Sequence, residues 1–82
     1  MPKKITFIGA GSLVFTRNLI RDLLTFPAFQ DATIALMDID DERLKFAEDV
    51  AHKIVSAGNY PAKIIATKNR AQALEGANGV VF

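Results

Sequence analysis

The sequence predicts an α/β fold built on a parallel sheet. Short, continuous apolar runs of strand length alternate with longer segments whose apolar residues recur at helical spacing, and a glycine pair separates the first run from the first helical segment. Continuous apolar runs are typical of strands buried on both faces, and their alternation with helices is typical of parallel sheets. A length of 82 residues allows at most one small domain.

The first predicted strand covers residues 5–8, and the first predicted helix covers residues 12–26. The apolar run ITFI ends at Gly9, and the period then changes from that of a strand to that of a helix. We expect this helix to end near Phe26, because Pro27 disfavours helical backbone at the residue before it. The apolar stripe of the helix consists of Val14, Phe15, Leu19, Ile20, Leu23 and Leu24.

A second strand is predicted at residues 33–37, and a second helix follows Asp38. The acidic residues 40–42 suit the start of a helix, where the helix dipole attracts negative charge. Gly58 and Asn59 supply the residue types that commonly end a helix. The inward stripe of this helix consists of Leu44, Ala47, Val50, Ala51, Ile54 and Val55.

A third strand is predicted at residues 63–67, followed by a short helix and a fourth strand. Asn69 with Gln72 three residues later fits a capping box, and Gly76 closes the helix. The sequence stops within a fourth apolar run at residues 79–82. Because a central parallel strand with an unpaired edge is unfavourable, we expect the chain to be a fragment of a longer polypeptide. Right-handed crossovers predict the strand order 3-2-1-4.

The segment from Gly9 to Val14, GAGSLV, matches the first two glycines of the dinucleotide fingerprint G-x-G-x-x-G/A. Gly9 permits the tight turn from strand to helix, and Gly11 leaves room for a pyrophosphate. The amides of Ser12, Leu13 and Val14 are expected to point at the phosphate oxygens, with the helix dipole behind them. Val14 stands where a third small residue usually allows close helix packing, so the fingerprint is incomplete. In this context of strand and helix, it predicts the first half of a Rossmann-like domain.

Asp38 is the candidate acidic partner of this turn. It ends the second strand at about the spacing of 20 residues that the fingerprint requires. A carboxylate there accepts hydrogen bonds from the adenosine ribose and repels a 2′-phosphate, which favours NAD over NADP. The alternative is that Asp38 is only a turn residue before the second helix. Arg43 is a second ambiguity, because a nearby Arg can bind a 2′-phosphate; a solvated helix residue is the simpler interpretation.

Composition and charge exclude several other classes of protein. The net charge is +1 and charged residues are spread along the chain, so we expect no nucleic-acid partner. No uncharged apolar run reaches about 18 residues and no small-residue cleavage site follows the first run, so we expect neither a membrane span nor an export signal. The absence of cysteine is compatible with a cytoplasmic location and leaves no thiolate metal ligand. His52 and the acidic residues 40–42 are interpreted as helix residues rather than metal ligands.

A family resemblance is carried by segments spread along the whole chain. They are residues 5–12, Phe15, residues 18–19, 32–40 and 43–44, and then Ala66, Thr67, Arg70 and residues 73–77. Together they closely resemble the N-terminus of glycoside hydrolase family 4, and within it the α-galactosidase and α-glucosidase members. The resemblance implies that residues 1–82 are the N-terminal part of an NAD-binding Rossmann domain. The implied cofactor contacts are Gly9, Gly11, Ser12, Leu13 and Val14 at the pyrophosphate, and Asp38 with Ile39 at the adenosine half.

The resemblance also implies an NAD- and divalent-metal-dependent hydrolase of α-glycosides. In that family NAD⁺ takes hydride from C3 of the sugar, and the resulting ketone acidifies the proton on C2. Loss of this proton and of the aglycone completes an elimination, water then adds and hydride returns, while a metal, typically manganese, polarises the developing oxyanion. The metal ligands, the catalytic base and most sugar contacts would lie beyond Phe82, so no catalytic or metal-binding residue is assigned. We expect the full-length protein to be a homo-oligomer. Two alternatives stay open: an NAD-dependent 2-hydroxy-acid dehydrogenase of the lactate or malate type, and a non-catalytic NAD-sensing domain.

Overall fold

A computed structural model describes residues 3–11 and 13–81, and for residues 13–15 it describes the backbone alone. The predictions for Ser12 and Phe82, and for the side chains of Leu13, Val14 and Phe15, therefore lie outside the described residues. The elements follow in the predicted alternation. They are β1 (Lys4–Ile8), α1 (Leu13–Leu23), a 3-10 turn (Pro27–Phe29), β2 (Thr33–Met37), α2 (Asp41–Gly58), β3 (Lys63–Thr67), α3 (Arg70–Leu74) and β4 (Gly79–Val81).

The four described strands form one parallel sheet in the order β3-β2-β1-β4, which confirms the predicted order. Phe7 of β1 lies opposite Leu36 of β2 on one side and Val81 of β4 on the other. Asn78 extends the pairing at the start of β4, because its N–H donates to the Lys4 carbonyl and its Oδ1 accepts the Lys4 N–H, each at 2.8 Å. The carboxyl ends of β1 and β2 therefore lie side by side at one edge of the sheet.

The core lies between one face of the sheet and the helices α1 and α2. Alternate residues of the two central strands point to this face, as a pleated strand requires. They are covered by Ile20 of α1 and by three residues of α2, Leu44, Ala47 and Ala51. The buried residues of this cluster are Phe7, Ala10, Ile20, Leu24, Ile34, Leu36, Leu44, Ala47 and Ala51. Thr6 points to the opposite face, where its buried hydroxyl donates to the Ala73 carbonyl of α3 at 2.6 Å. The short helix α3 therefore packs on the other side of the sheet.

Helix α1 ends at Leu23, earlier than the predicted end near Phe26. The Thr25 and Phe26 amides donate to carbonyls three residues earlier, at 3.1 and 3.2 Å, so the helix has already tightened before the proline. The Thr25 hydroxyl also donates to the Asp22 carbonyl at 2.6 Å and supplies a local partner for the helix end. Pro27 then holds Phe26 in an extended conformation and opens the 3-10 turn.

Helix α2 has a well-defined cap at each end. The Asp40 side chain accepts the Arg43 N–H at 3.0 Å, so the helix begins at Asp41 with Arg43 in its first turn. At the other end Asn59 adopts a left-handed conformation with φ of 54°, and the Tyr60 N–H donates to the Val55 carbonyl at 3.0 Å. Within the described residues, no helix is long and apolar enough to cross a membrane.

Candidate dinucleotide site

The glycine turn after β1 is bonded to the end of β2. The Gly9 and Ala10 amides both donate to the Met37 carbonyl, at 2.9 and 3.0 Å. Met37 is the last residue of β2 and Asp38 follows it directly. The two polypeptide turns that leave β1 and β2 are thus held together at the carboxyl edge of the sheet, where open α/β sheets bind ligands.

Gly9 and Gly11 are required for different physical reasons. Gly9 has a φ of +75°, which residues with a side chain rarely adopt, yet a Cβ on it would meet no heavy atom of the described residues within 4 Å. A Cβ on Gly11 would instead lie 2.6 Å from the Asp38 Oδ2 atom and 2.7 Å from the Cβ and Nε atoms of Arg43. Gly9 therefore permits the positive φ of the turn. Gly11, which has no side chain, lets Asp38 and the Arg43 side chain of α2 lie close to the turn.

The Asp38 carboxylate is buried at this contact, with 6% of the residue exposed. Its Oδ2 accepts the Gly11 N–H at 2.8 Å, and its Oδ1 accepts the Asp40 N–H at 2.9 Å. An ionised carboxylate offers about four lone-pair sites, and these two bonds use one on each oxygen. Each oxygen therefore keeps acceptor capacity for a hydroxyl of a ligand, and the two ribose hydroxyls of an adenosine form such a pair.

The surroundings of Asp38 favour its charged form. The hydrogen bond from the Asp40 amide is the largest influence and lowers the pKa of Asp38; burial opposes it, and the Gly11 amide and the positive charge of Arg43 lower the pKa further. The net pKa lies below its ordinary value. The carboxylate is therefore ionised at neutral pH.

Helix α1 begins at Leu13, so the Leu13 and Val14 amides belong to its first turn and have no acceptor within the helix. No acidic residue lies in that first turn, which leaves the positive end of the helix dipole uncompensated from within the helix. Such a helix start attracts an anion. The predicted role of Ser12 in the same turn falls on a residue outside the described part.

Thr16 fixes the turn against α1, a role that the apolar spacing of the sequence did not reveal. Its buried hydroxyl donates to the Ala10 carbonyl at 3.0 Å. A threonine in the second turn of a helix is the one sequence signal that could have indicated this bond, because its hydroxyl readily bonds to nearby backbone. Thr16 therefore positions the turn and has no predicted contact with a ligand.

Ile39, the other residue predicted at the adenosine half, follows Asp38 and is 80% exposed. An exposed apolar side chain beside a buried carboxylate offers a surface for an aromatic base next to an acceptor for its sugar. The structure thus brings Gly9, Gly11, Asp38 and Ile39 to one edge of the sheet, at the start of α1.

The other polar residues considered as metal ligands lie on α2 or at its start. His52 is exposed on α2 with its Nε2 atom 3.9 Å from a Glu48 oxygen, and Asp41 lies 3.2 Å from the Lys68 ammonium. Asp40 caps α2. Across residues 3–11 and 13–81, no three His, Cys, Asp or Glu side chains come together in a way that could hold a metal ion.

A four-stranded parallel sheet in the order 3-2-1-4, with a glycine turn and an acidic residue at its carboxyl edge, defines a Rossmann-like α/β fold. Comparison with protein families identifies the family of the chain, which the fold alone does not. The model of the family 4 glycosyl hydrolases matches residues 4–82, and the chain belongs to that family.

Curated relatives agree with this family. The chain is 38% identical over 78 residues to an alpha-galactosidase of Rhizobium meliloti (strain 1021), covering 95% of the chain and 16% of the relative. It is 37% identical over 79 residues to an alpha-galactosidase of Bacillus subtilis (strain 168), covering 96% of the chain and 18% of the relative. An alpha-glucosidase of Erwinia rhapontici is 32% identical over 82 residues, which is 100% of the chain and 18% of that protein. The chain thus spans less than a fifth of the length of these relatives.

Proposed function

We propose that the full-length protein is an NAD- and divalent-metal-dependent glycoside hydrolase of α-glycosides, of the α-galactosidase or α-glucosidase type, and that residues 1–82 bind the NAD. The reaction type is oxidation at C3 followed by elimination, as the family resemblance implies. The observation that carries the cofactor part is the pairing of the Asp38 carboxylate with the Gly11 amide at the carboxyl edge of the sheet. The cytoplasmic location and the homo-oligomeric state expected from the sequence belong to the same proposal.

The residues of the turn would hold the pyrophosphate of the cofactor. The amides of Leu13 and Val14 at the start of α1 supply hydrogen-bond donors, and Gly11 presents no side chain. The uncompensated dipole of α1 favours the negative charge. Ser12 and its hydroxyl are proposed to add donors in the same turn.

Asp38 would hold the adenosine ribose. Its free lone pairs accept the two ribose hydroxyls, and its charge repels a phosphate on the 2′-oxygen, so NAD is favoured over NADP. Ile39 would lie against the adenine ring. When bound, the nicotinamide ring supplies a reversible hydride acceptor; residues 1–82 bind and orient the cofactor.

The metal of this proposal must be held by other residues of the full-length protein. The described residues contain no suitable group of ligands, and the chain has no cysteine. No step of the reaction is therefore assigned to a metal bound by this segment. Membership of the glycosyl hydrolase family favours the hydrolase over the 2-hydroxy-acid dehydrogenase and the NAD-sensing domain.

The proposal is tested with full-length protein that has been stripped of nucleotide. An α-linked aryl galactoside or glucoside is supplied with manganese, with or without NAD⁺, in D₂O. We expect cleavage only when NAD⁺ is added, with deuterium entering at C2 of the released sugar. Cleavage that occurs equally without added NAD⁺, or cleavage that leaves C2 without deuterium, would contradict the redox-elimination reaction.

The role of Asp38 is tested by Asp38→Ala, with Asp31→Ala as the matched control on an exposed aspartate. Loss of a charged hydrogen bond should weaken NAD⁺ binding by about 1.5 to 3 kcal/mol in calorimetry. The control variant should bind NAD⁺ like the wild type. Equal affinities for all three proteins would refute the ribose role of Asp38.

A further inference from the structure

The outward face of α2 differs in charge between its two ends. The buried residues of this helix, Leu44, Ala47 and Ala51, belong to the core. An exposed stripe runs along the opposite side, because its members recur every three or four residues. From the start of the helix to its end, this stripe consists of Glu42, Phe46, Asp49, Lys53 and Ala57. The acids of the stripe therefore lie toward the start of α2 and its cation toward the end.

Phe46 is the apolar centre of the acidic end. The residue is 63% exposed, although aromatic side chains are usually buried for most of their area. It borders a shallow pocket of about 320 Å³, whose other lining residues are Asp41, Glu42, Lys45 and Asp49. Asp49 pairs with Lys45 at 3.3 Å on the surface, where an ion pair contributes little. We call Glu42, Phe46 and Asp49 the acidic knob.

A groove of about 950 Å³ lies between α1 and the second half of α2. Ile54 and Tyr60 give it apolar surface, and Asp22 is its one acid. Its cations are Arg17, Arg21 and Lys53. Among the side chains that the structure describes, none of these three cations lies within 4.0 Å of a carboxylate oxygen. This basic groove can therefore accept an apolar group that carries negative charge beside it.

We propose that two copies of this chain associate through α2, antiparallel about a two-fold axis, so that the acidic knob of each copy enters the basic groove of the other. Phe46 and Lys53 lie about 10 Å apart along the helix axis. A parallel pair of helices would place acid beside acid, whereas an antiparallel pair places each knob beside the cations of the other copy. The two-fold axis makes every contact occur twice, as in an isologous dimer.

The contacts of this pairing divide into an apolar centre and a charged rim. The Phe46 ring packs on Ile54 and Tyr60 of the other copy, where an aromatic side chain contributes a large buried area. The acids beside the ring meet the lysine and arginines of the groove, which fixes the direction of the two helices. This inference rests on the homo-oligomeric state in the proposed function, for which it supplies the interface; it does not depend on the binding of NAD.

The test is a charge swap in the full-length protein, measured by sedimentation velocity. Glu42→Lys with Asp49→Lys reverses the acidic knob. Arg21→Glu with Lys53→Glu reverses the basic groove. Each double variant alone then places like charges across the two-fold axis, and we expect its dissociation constant for self-association to rise about tenfold or more. An equal mixture of the two variants should form a heterodimer, because each reversed surface then faces its complement.

Asp31→Lys with Glu75→Lys is the matched control. It changes the net charge by the same amount as reversal of the knob, at two exposed acids outside α2, and should leave the dissociation constant unchanged. Phe46→Ala alters no charge and should also weaken the association, because the apolar centre is lost. The wild-type association should weaken as ionic strength rises. Circular dichroism establishes that each variant is folded.

The outcomes separate the inference from the proposal on which it rests. A wild type that stays monomeric would refute the homo-oligomeric state, and the inference with it. A wild type that associates, with reversed variants that associate equally well, would overturn the inference alone. So would reversed variants whose mixture forms no heterodimer. Variants with a lower melting temperature and an unchanged dissociation constant would also overturn it, because another part of the same chain would then cover this face.

Discussion

Gly11→Ala is the substitution whose effect the structure defines most sharply. The new Cβ would lie 2.6 Å from the Asp38 Oδ2 atom and 2.7 Å from the Arg43 Cβ atom. Neither neighbour can move freely. Asp38 accepts two backbone amides, and the Arg43 Cβ is attached to the capped first turn of α2. The clash must therefore separate the glycine turn from the start of α2.

Overpacking of this kind costs about 1 to 3 kcal/mol. We expect about 2 to 3 kcal/mol, because the obstructing atoms include a Cβ close to the backbone and a hydrogen-bonded carboxylate. Local opening of the two turns should then increase roughly 30- to 150-fold. Hydrogen exchange of the Ala10 and Asp40 amides in the full-length protein measures this opening, since these amides donate to Met37 and Asp38.

Gly9 provides the matched control. Gly9→Ala introduces no clash among the described residues and costs only the left-handed backbone, about 1 to 2 kcal/mol. Asparagine tolerates that conformation, so Gly9→Asn should recover most of the loss, whereas Gly11→Asn should recover none. In an Asp38→Ala background the cost of Gly11→Ala should fall, because one of the obstructing atoms is gone. Equal rescue by asparagine at both positions, or a cost at Gly11 that is independent of Asp38, would refute the reasoning.

Three further outcomes follow from the buried polar contacts and the cap. Thr6→Val should lower the free energy of unfolding by about 1 to 3 kcal/mol in denaturant melts, because the buried Ala73 carbonyl loses its donor; Thr6→Ser, which keeps the hydroxyl, should lose less. The depressed pKa of Asp38 stabilises the folded state at pH values above the unfolded pKa of about 3.9, and this stability is lost as pH falls through the lower folded pKa. Asp38→Asn should therefore flatten the acid side of the profile of melting temperature against pH. An unchanged profile would contradict this. Asn59→Ala should destabilise α2 by about 1 kcal/mol and Asn59→Gly should not, as judged by thermal melts, because only the first substitution strains the left-handed cap.

The apolar spacing was sufficient to predict the elements of the fold. The bounds of β2 and β3 agree with the predicted runs at residues 33–37 and 63–67. Of the predicted stripe of α2, Leu44, Ala47 and Ala51 are buried. Buried residues recur at the period of the helix or strand that packs against a partner face, so the strand bounds and the buried stripe can be predicted from one sequence.

The ends of helices were harder to predict, because they depend on competing local bonds. The predicted capping box at α3 is confirmed in its first half, since the Asn69 side chain accepts the Gln72 N–H at 2.9 Å. The second half differs: the Asn69 N–H donates to the Thr67 hydroxyl at 3.0 Å, and that hydroxyl donates to the Gln72 side chain at 2.8 Å. Thr67 belongs to the preceding strand, and nothing in the spacing of the motif identifies it as part of the cap.

The candidate site shows the same division between local and distant contacts. Gly9, Gly11 and Asp38 were found from the fingerprint, because its spacing encodes the fold around it. The bond between the Asp38 carboxylate and the Gly11 amide, and the packing of Arg43 on Gly11, join residues far apart in the sequence. Such contacts depend on how α2 docks beside α1, which a single sequence does not reveal.

The position of β1 in the sheet bears on how the protein is made. Of the four described strands, β1 leaves the ribosome first, but one of its edges can pair only after β2 is made and the other only after β4 is made. The bonds between Lys4 and Asn78 can form only after nearly the whole segment has been synthesised. Until then an apolar strand carries an open edge of the kind that invites pairing with other chains. Shielding of the nascent chain, by the ribosome or a chaperone, would matter most during this interval.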